Sequence, residues 1–477
     1  STRKESSAAS DVYKRQMKYL TADFGSTYTK VTAIDTDKCE IVATGAAFTT
    51  IETDVMEGLS NALSDLANKL GSPWQYDRFL CCSSAAGGLK MIASGLVPEL
   101  TAKAARTAAS SAGAKVVKTY SFEISRKEAE EIEQIAPDLI LLCGGTDGGN
   151  RETVINNAKR LSTVKGNFTI VVAGNKNASE EVDKILTEAG RPHVITDNVM
   201  PDFNTLNVIP AKECIMQLFI DQIIDAKGLH QAQAMANNEI IPTPLAVLRA
   251  CELLSMGTRN EKGIGEMLAV DLGGATTDVY SIAKGEPQSA NIVQRGLPEP
   301  HNKRTVEGDL GMRYSLSSLA DELDLHDVGA ELGLTADELQ NWVNTCVAKP
   351  STRATDERES KMEKALAKGA VSIAIDRHVG HMKSVYTPMG QLYTIDGKDL
   401  TKVENVLGIG GAIIHSDDPA FVLSGAQFDP AHFEAARPKE PKFMIDKTYI
   451  MASMGLLSQE LPDVALKIMK KELVLVN

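Results

Sequence analysis

Two short segments, about half the chain apart, follow one pattern: an apolar run ends in Asp and is followed by small residues and hydroxyls. The first is YLTADFGSTYTK, from Tyr19 to Lys30, and the second is MLAVDLGGATTDVYS, from Met267 to Ser281. Such a hairpin can bind phosphate, because Gly lets main-chain N–H groups approach the ligand closely. The Asp carboxylate can hold Mg²⁺, usually through water. Two such hairpins predict two similar domains that hold one polyphosphate from opposite sides.

The residues of these hairpins form the candidate phosphate and metal site. We expect Asp23 and Asp271 to be the metal ligands and to take part in catalysis. The expected phosphate-binding residues are those of the two turns: Gly25, Ser26, Thr27, Gly273, Gly274, Thr276 and Thr277. Their glycines permit tight turns, and their hydroxyls can donate to phosphate oxygens.

A third motif, LGIGGAI, runs from Leu407 to Ile413 and reads as an apolar strand that enters a Gly-rich turn. Glycines at such a turn allow a flat, bulky base to lie against the main chain. The candidate base-binding residues are therefore Gly408, Gly410, Gly411 and Ala412.

The order of the three motifs resembles that of the actin, sugar-kinase and Hsp70-type ATPase superfamily. Asp23 to Thr27 matches the first phosphate motif, Asp271 to Asp278 the second, and Leu407 to Ala412 the adenosine motif. Lys30 stands where actin-like members place a phosphate-contacting lysine. The resemblance implies an α/β fold: a two-lobed actin-like ATPase with duplicated ribonuclease H-like domains and an α/β insertion. It also implies ATP and Mg²⁺ as cofactors, and hence an Mg²⁺-dependent ATPase.

Composition limits the classes of function. The 477 residues suggest about two to four domains. Hydrophobic residues make up 43% and charged residues 24%, as in a globular protein, and the net charge is −13. A duplex nucleic-acid binder needs a basic surface, so this charge argues against one. It does not exclude a nucleotide, because main-chain N–H groups and a metal can hold phosphates on an acidic protein.

Cysteine usage and hydropathy predict a cytoplasmic location. The seven cysteines are scattered without a C-x-x-C pair, which argues against a disulfide framework and against zinc or iron–sulfur ligation. We expect most of them to be small buried residues in a reducing compartment. No apolar run approaches the ~20 residues of a membrane span, so we expect no membrane contact.

Hydrophobic periodicity gives a coarse organisation. Three strands and a helix follow Met17, and a parallel α/β alternation occupies residues from about 115 to 210. The second half restarts as strand, turn and strand. The expected division is a disordered or non-native extension at 1–16, a first actin-like lobe at 17–115, an α/β insertion or linking layer at 116–210, connecting helices at 211–264, and a second lobe with a C-terminal helix at 265–477.

Further acidic and small residues are candidates for the site. Glu307 and Asp309, in TVEGDLG, are candidate catalytic residues that could orient the attacking water or carry the metal. A solvent-facing loop with a helix N-cap is the alternative for this pair. Asp147 follows an apolar strand, where α/β proteins form sites, and could line the cleft or contact a partner. Ser84 to Gly88 matches the region that connects the lobes in the superfamily.

A narrower resemblance covers essentially the whole chain from Met17. The segments YLTADFGSTYTKVTAID, CCSSAAGGLKM, LILLCGGTDGGN, RTVEGDLGMRYS and VLGIGGAI are similar to the glutamate mutase MutL (GlmL) family, which is unrelated to the DNA mismatch-repair protein of the same short name. The resemblance implies a chaperone-like reactivating factor that releases damaged cobalamin from an adenosylcobalamin-dependent mutase. It therefore implies a mutase subunit as partner and leaves room for a homo-oligomer.

Three other functions share the superfamily fold and stay open at this point. A small-molecule kinase would need a preformed pocket with an Asp general base for a hydroxyl, and the sequence does not single one out. An ATP-driven electron donor would need cysteines that bridge an iron–sulfur cluster between subunits, and the spacing offers no such arrangement. A filament-forming actin homologue is the third alternative.

Overall fold

The computed structural model describes residues 17–25, 27–50, 54–84, 90–111, 115–287, 289, 291–297, 299–387 and 390–476. The expected extension at residues 1–16 lies outside these ranges, as do Ser26 and most of the segment that was expected to connect the lobes. Across the ranges given, every helix is too short or too polar to cross a membrane.

The first lobe is built on a sheet around the first hairpin. Its early elements are β1 (Lys18–Phe24), β2 (Tyr28–Asp35), β3 (Glu40–Phe48), α1 (Val55–Leu70) and β4 (Arg78–Ser83). Strands β1, β2 and β3 form the expected antiparallel meander, and β4 pairs parallel to β1. Helix α1 begins at Asp54, whose carboxylate accepts from the Met56 N–H, and ends at Gly71 with φ +75°. Its buried face, with Leu59 and Leu66, packs in the core of this lobe.

An inserted unit of five parallel strands follows. Its elements are β5 (Lys90–Gly95), α2 (Lys103–Ser111), β6 (Lys115–Ser121), α3 (Arg126–Ile135), β7 (Leu139–Leu142), α4 (Glu152–Ser162), β8 (Thr169–Val172), α5 (Ser179–Glu188), β9 (His193–Ile195) and α6 (Ile209–Lys227). Helix α7 (His230–Met235) follows and packs in the core of the first lobe. The strand order is β6-β5-β7-β8-β9, and every pair is parallel. Helices α2 and α6 cover one face and α3, α4 and α5 the other, so apolar strands such as β7 are buried on both faces.

The α/β alternation that the sequence predicts is therefore present. Helix α3 begins at the predicted capping box, in which Ser125 and Glu128 bond each other's main-chain N–H groups. The sheet itself begins at Lys90, upstream of the boundary expected at residue 116, because β5 is one of its strands and α2 packs against it. The division of the whole chain into domains stays a prediction.

The chain then returns to the first sheet and enters the second lobe. Strand β10 (Ile241–Pro242) pairs with β4, and α8 (Thr243–Met256) leads away from it. The remaining elements are β11 (Met267–Leu272), β12 (Thr277–Ile282), β13 (Ile292–Arg295), β14 (Asn302–Glu307), α9 (Leu316–Glu322), α10 (Leu325–Ala330), α11 (Ala336–Ala348), α12 (Glu357–His378), β15 (His381–Thr387), β16 (Gly390–Asp396), β17 (Asn405–Ile409), α13 (Gly411–Ile414), α14 (Pro419–Leu423), β18 (Lys442–Ile445), α15 (Met451–Leu457), α16 (Pro462–Glu472) and β19 (Val474–Val476).

The two lobes repeat one strand order. The first sheet runs β3-β2-β1-β4-β10, and the second runs β14-β12-β11-β17-β18 with β19 added at its edge. In both, the first three strands are antiparallel and the next two run parallel to the first. This duplication confirms the expected α/β fold with two ribonuclease H-like domains. A small additional sheet, β13-β16-β15, was not predicted.

Helices α8 and α15 cross between the two sheets. A Cβ on Gly455 of α15 would lie only 1.8 Å from the carbonyl oxygen of Ala246 on α8, so the two main chains are in direct contact. The apolar cluster around the crossing contains Tyr19 from the first sheet and Met267 and Leu407 from the second. One core therefore joins the two lobes, and the two motif-bearing sheets are held on either side of it.

Candidate functional site

The first hairpin places a nearly buried carboxylate at the end of β1. Asp23 is 7% exposed, and its Oδ1 accepts from the Thr243 hydroxyl over 2.5 Å. The Cys82 thiol lies 3.6 Å from the same oxygen. The turn closes when the Gly25 N–H donates to the Tyr28 carbonyl, and a Cβ on Gly25 would lie 2.5 Å from that oxygen. Glycine is thus required for the turn that follows the carboxylate.

The second hairpin repeats this arrangement and adds a buried ion pair. Asp271 is the next-to-last residue of β11 and lies directly across from Asp278 on β12. The buried Arg304 donates from Nε to Asp278 Oδ1 over 2.8 Å. Gly273 closes the turn by donating to the Thr276 carbonyl over 3.0 Å. Within the described ranges no hydrogen bond or ion pair reaches the Asp271 carboxylate. Of the two hairpin acids, Asp278 therefore has a direct partner there and Asp271 does not.

Lys30 connects the two hairpins electrostatically. It lies across from Asp23 in the β1–β2 register, and its Nζ is 2.9 Å from the centroid of the Tyr449 ring. Burial lowers the pKa of Lys30. Three carboxylates act in the opposite direction on that pKa: those of Asp23, Asp271 and Asp446. The structure therefore brings together the two expected metal ligands and the expected phosphate-contacting lysine.

Two acids of this cluster, Asp271 and Asp446, have raised pKa values, chiefly because they are buried. Burial, reinforced by neighbouring carboxylates, raises the pKa of Asp271 to about 7. Burial also raises the pKa of Asp446 to about 6, although the N–H groups of Ile450 and Met451 donate to its carboxylate. Three acids share one lysine, and this excess negative charge suits a divalent cation, which carries the opposite charge.

The Gly-rich turn lies directly beside the second hairpin. Strand β17 pairs parallel to β11, which puts Gly408 next to Val270. Gly410 has φ +91°, and a Cβ on it would lie 2.3 Å from the Leu272 carbonyl oxygen. Gly411 and Ala412 begin the short helix α13, and Gly411 is exposed. The turn is therefore packed against the end of the strand that carries Asp271, and its role in binding a base stays a prediction.

Glu307 and Asp309 lie beside the second hairpin but are held in an ion-pair cluster. Glu307 ends β14, across from Thr277. Arg377 Nη1 donates to Glu307 Oε2 over 2.8 Å and to Asp309 Oδ2 over 2.9 Å. Burial raises the pKa of Glu307, and Arg377 opposes the shift. A carboxylate with a raised pKa beside such a hairpin can act as a general base. The catalytic roles of Glu307 and Asp309 stay a prediction.

The remaining turn residues divide into two groups. Thr27, Gly274 and Thr276 are half-buried at the hairpin turns. Thr277 faces away, because it is fully buried and its hydroxyl donates to the Leu310 carbonyl. In this arrangement Thr277 supports the turn and does not face Asp271. Ser26 lies outside the described residues.

Three residues of the site were missed by the sequence analysis. Asp446 and Tyr449 follow β18, which is the fifth strand of the second sheet and carries no glycine-rich signal. Thr243 begins α8 and reaches Asp23 across 220 positions of sequence. Only one signal was available: the apolar run of β18 is followed by an Asp, as the apolar runs within β1 and β11 are.

The structure also places Asp147 and the cysteines. Asp147 holds the loop after β7, since its Oδ1 accepts from the Lys176 N–H and the Asn198 side chain, each over 3.0 Å. The cysteines are free, and five of the seven are buried, as expected: Cys81, Cys82, Cys143, Cys251 and Cys346.

The fold and this cluster together define the class of protein. Two lobes with one repeated strand order present a hairpin aspartate each, with a lysine and a Gly-rich turn between them, and this is the architecture of the actin-like ATPase superfamily. The particular family follows from sequence comparison. The chain belongs to the MutL protein family, whose model matches residues 19–473. It is 48% identical over 457 residues to Protein MutL from Clostridium tetanomorphum, an alignment that covers 96% of this chain and 99% of that protein.

Solved structures give a more distant likeness. A nucleotide-free acetone carboxylase is 14% identical and covers 93% of this chain and 70% of its own, with a TM-score of 0.41. The gluconate kinase of Lactobacillus acidophilus is 11% identical, covers 97% and 93%, and has a TM-score of 0.34. The xylulose kinase of Bifidobacterium adolescentis is 13% identical, covers 93% and 94%, and has a TM-score of 0.32. The assignment of the fold therefore rests on the strand order within this chain.

Proposed function

We propose that this chain hydrolyses Mg·ATP to reactivate an adenosylcobalamin-dependent mutase, such as glutamate mutase, by releasing damaged cobalamin. The observation that carries the ATPase part is the convergence of Asp23 and Asp271, one from each lobe, on the single Lys30. The excess of carboxylates there suits Mg²⁺, and the glycine turns leave main-chain groups open to phosphate and base.

Each residue has a defined task in this proposal. Asp23 and Asp271 hold the metal from the two lobes, and Lys30 faces the phosphates. The turn from Gly408 to Ala412 holds the base, and Glu307 is the candidate base for the attacking water. Bound Mg·ATP would supply a transferable phosphoryl group and a binding energy that differs between open and closed lobes. Thr243 and Tyr449 orient Asp23 and Lys30 from the lobe junction.

The mutase partner is supported by the family resemblance and by the two-lobed design. A radical enzyme that loses its adenosyl group keeps an inactive corrin in a tight site, and removing it requires the enzyme to open. Two lobes that share one core at a helix crossing can change their relative angle when a ligand binds the two states differently. Such a movement is the means by which this chain would act on a partner.

The test is Mg·ATP turnover by the purified chain, with and without a cobalamin-inactivated mutase from the same genome. We expect turnover to rise with the inactivated mutase and corrin to appear free in solution, as measured by absorbance after gel filtration. Asp271→Asn should abolish both effects. Asp183→Asn is the matched control, because Asp183 is an exposed acid on α5 of the inserted unit, where it pairs with His193.

Two results would count against the proposal. Turnover that is indifferent to the mutase and releases no corrin would remove the reactivating role and direct the search to a small-molecule acceptor. A wild-type chain that neither binds nor hydrolyses Mg·ATP would remove the ATPase role as well.

A further inference from the structure

Asp446 links the charged cluster to the helix that crosses between the lobes. It follows β18 directly and is 1% exposed. Its Oδ1 accepts from the Ile450 N–H and its Oδ2 from the Met451 N–H, each over 2.9 Å. Ile450 is the N-cap of α15 and Met451 is its first residue, so one buried carboxylate holds the start of that helix, and the same carboxylate interacts electrostatically with Lys30.

Tyr449 makes the second link at the same place. Its ring centroid lies 2.9 Å from Lys30 Nζ, and an ammonium against an aromatic face is an attractive contact. Its main chain has φ +58°, a region that a bulky residue adopts only when its surroundings hold it there. Burial and the surrounding carboxylates raise the pKa of its hydroxyl, so the neutral ring persists. Lys30 of the first lobe is thus held by a strained residue that follows the second sheet.

Further along, α15 is bonded to the first sheet and packs directly against α8. Ser453 accepts from the Thr21 hydroxyl over 2.8 Å and donates to the Thr32 hydroxyl over 3.1 Å, which ties α15 to β1 and β2. Two residues further on, Gly455 touches the main chain of Ala246 on α8. A small movement at the start of α15 is therefore transmitted to the contact between the lobes, because no space is left to absorb it.

We propose that Asp446 and Tyr449 are positioning residues that couple Lys30 to the helix crossing, so that phosphate engagement of Lys30 changes the angle between the lobes. This inference rests on the proposed function. When a phosphate forms an ion pair with Lys30, the ammonium group moves away from the Tyr449 ring and its attraction for Asp446 weakens. Both residues sit at the start of α15, and the redistribution of charge reaches the crossing through the two N–H bonds of Asp446.

Four variants separate nucleotide binding from the coupling between Lys30 and the helix crossing. Asp446→Asn keeps the size but removes the charge and turns one acceptor into a donor that faces an N–H group. Asp446→Glu restores the charge. Tyr449→Phe keeps the aromatic face and removes only the hydroxyl, whereas Tyr449→Leu removes the face. The measurements are the Kd for Mg·ATP by calorimetry, kcat and KM for turnover, and hydrogen exchange of residues 451–457 with and without Mg·ATP.

We expect the variants that break the coupling to lower kcat while the affinity for Mg·ATP stays nearly unchanged. Asp446→Asn and Tyr449→Leu should lower kcat about 10-fold, the scale of one desolvated cation–π or charge contact, and change the Kd less than about 3-fold. Hydrogen exchange of residues 451–457 should respond to Mg·ATP in the wild type and not in these two variants. Asp446→Glu should recover part of kcat, and Tyr449→Phe nearly all of it.

Three results would count against the coupling role or limit the test of it. If Asp446→Asn and Tyr449→Leu keep the wild-type kcat and the wild-type exchange response, the coupling role is overturned while the ATPase survives. Should Asp446→Asn fail to fold, Tyr449→Leu compared with Tyr449→Phe decides the question alone, because both retain the carboxylate cap of α15. If the wild type shows no binding of Mg·ATP, the proposed function is what fails, and the coupling fails with it.

Discussion

Asp271 and Asp278 lie directly opposite each other on the second hairpin, yet of the two only Asp278 forms an ion pair among the residues that the structure describes. The buried Arg304 neutralises Asp278, and burial together with neighbouring acids raises the pKa of Asp271 to about 7. One acid of the pair thus stabilises the hairpin, and the other is left costly to ionise. This asymmetry is compatible with the proposed metal-binding role of Asp271, because a bound cation would supply the missing positive charge.

Asp271→Asn should stabilise the ligand-free protein while it abolishes Mg·ATP turnover. An acid whose folded pKa lies above its ordinary value of 3.8 destabilises the folded state increasingly as pH rises from about 4 to about 7. Removing that charge should raise the free energy of unfolding by about 1–3 kcal/mol at pH 8 and by less at pH 5. Urea denaturation at the two pH values measures this. Equal or lower stability at pH 8 would contradict the prediction.

Asp278→Asn should have the opposite effect on stability. The substitution leaves the Arg304 guanidinium buried without a counter-charge, which costs about 3 kcal/mol. The same denaturation assay measures it, and the comparison with Asp271→Asn is matched because the residues are cross-strand neighbours with the same side chain. Similar stability changes in both variants would show that Arg304 does not distinguish them.

Gly410→Ala should impair nucleotide binding, and Gly411→Ala should be tolerated. A methyl group on Gly410 would lie 2.3 Å from the Leu272 carbonyl oxygen at φ +91°, so the turn must shift. At Gly411 the nearest atom is 3.8 Å away, on the His415 ring. We expect the affinity for Mg·ATP to fall about 10-fold in Gly410→Ala and less than about 2-fold in Gly411→Ala. Calorimetry provides the comparison, and equal losses would argue against the turn as the base-binding element.

Stability should rise between pH 7 and pH 9 because of Lys398. This lysine is 1% exposed and donates to the carbonyls of Ala283 and His301 over 2.8 and 2.7 Å. Burial, with help from Lys303, lowers the pKa of Lys398 to about 7. The unfolded chain therefore binds the additional proton between about pH 7 and 10, so the free energy of unfolding should increase by at most about 1.4 kcal/mol per pH unit. In Lys398→Met this increase should shrink to the part that Lys303 contributes.

Gly455→Ala should destabilise the protein at the lobe crossing. Its Cβ would overlap the Ala246 carbonyl at 1.8 Å, and that oxygen belongs to a helix that cannot move aside freely. The expected cost is about 1–3 kcal/mol in the free energy of unfolding. Gly369→Ala is the control, because its Cβ would meet only the flexible end of the Leu323 side chain. A Gly455→Ala variant as stable as the control would mean that the crossing adapts to the extra methyl group.

Much of the fold was predictable because its signals are local. Strand β1, the β1–β2 turn and the Gly-rich turn after β17 follow from runs of apolar residues and from glycines whose conformational freedom those turns require. The capping box at Ser125 likewise fixed the start of α3. The upstream limit of the inserted sheet was not predictable, since β5 reads as a short strand and its partners β6 and β7 are chosen only when the chain folds back.

The sequence by itself determined the two hairpin aspartates, the glycine turns and, through them, the superfamily, because each motif is a few consecutive residues with its own conformational demands. Only the tertiary structure decided that Lys30 meets Asp446 and Tyr449, that Arg304 binds Asp278, and that Gly455 touches Ala246. These partners are separated by up to several hundred positions, and their meeting depends on strand order, on burial and on helix packing. The electrostatic character of the site is therefore a property of the folded chain, because burial and neighbouring charges set each pKa.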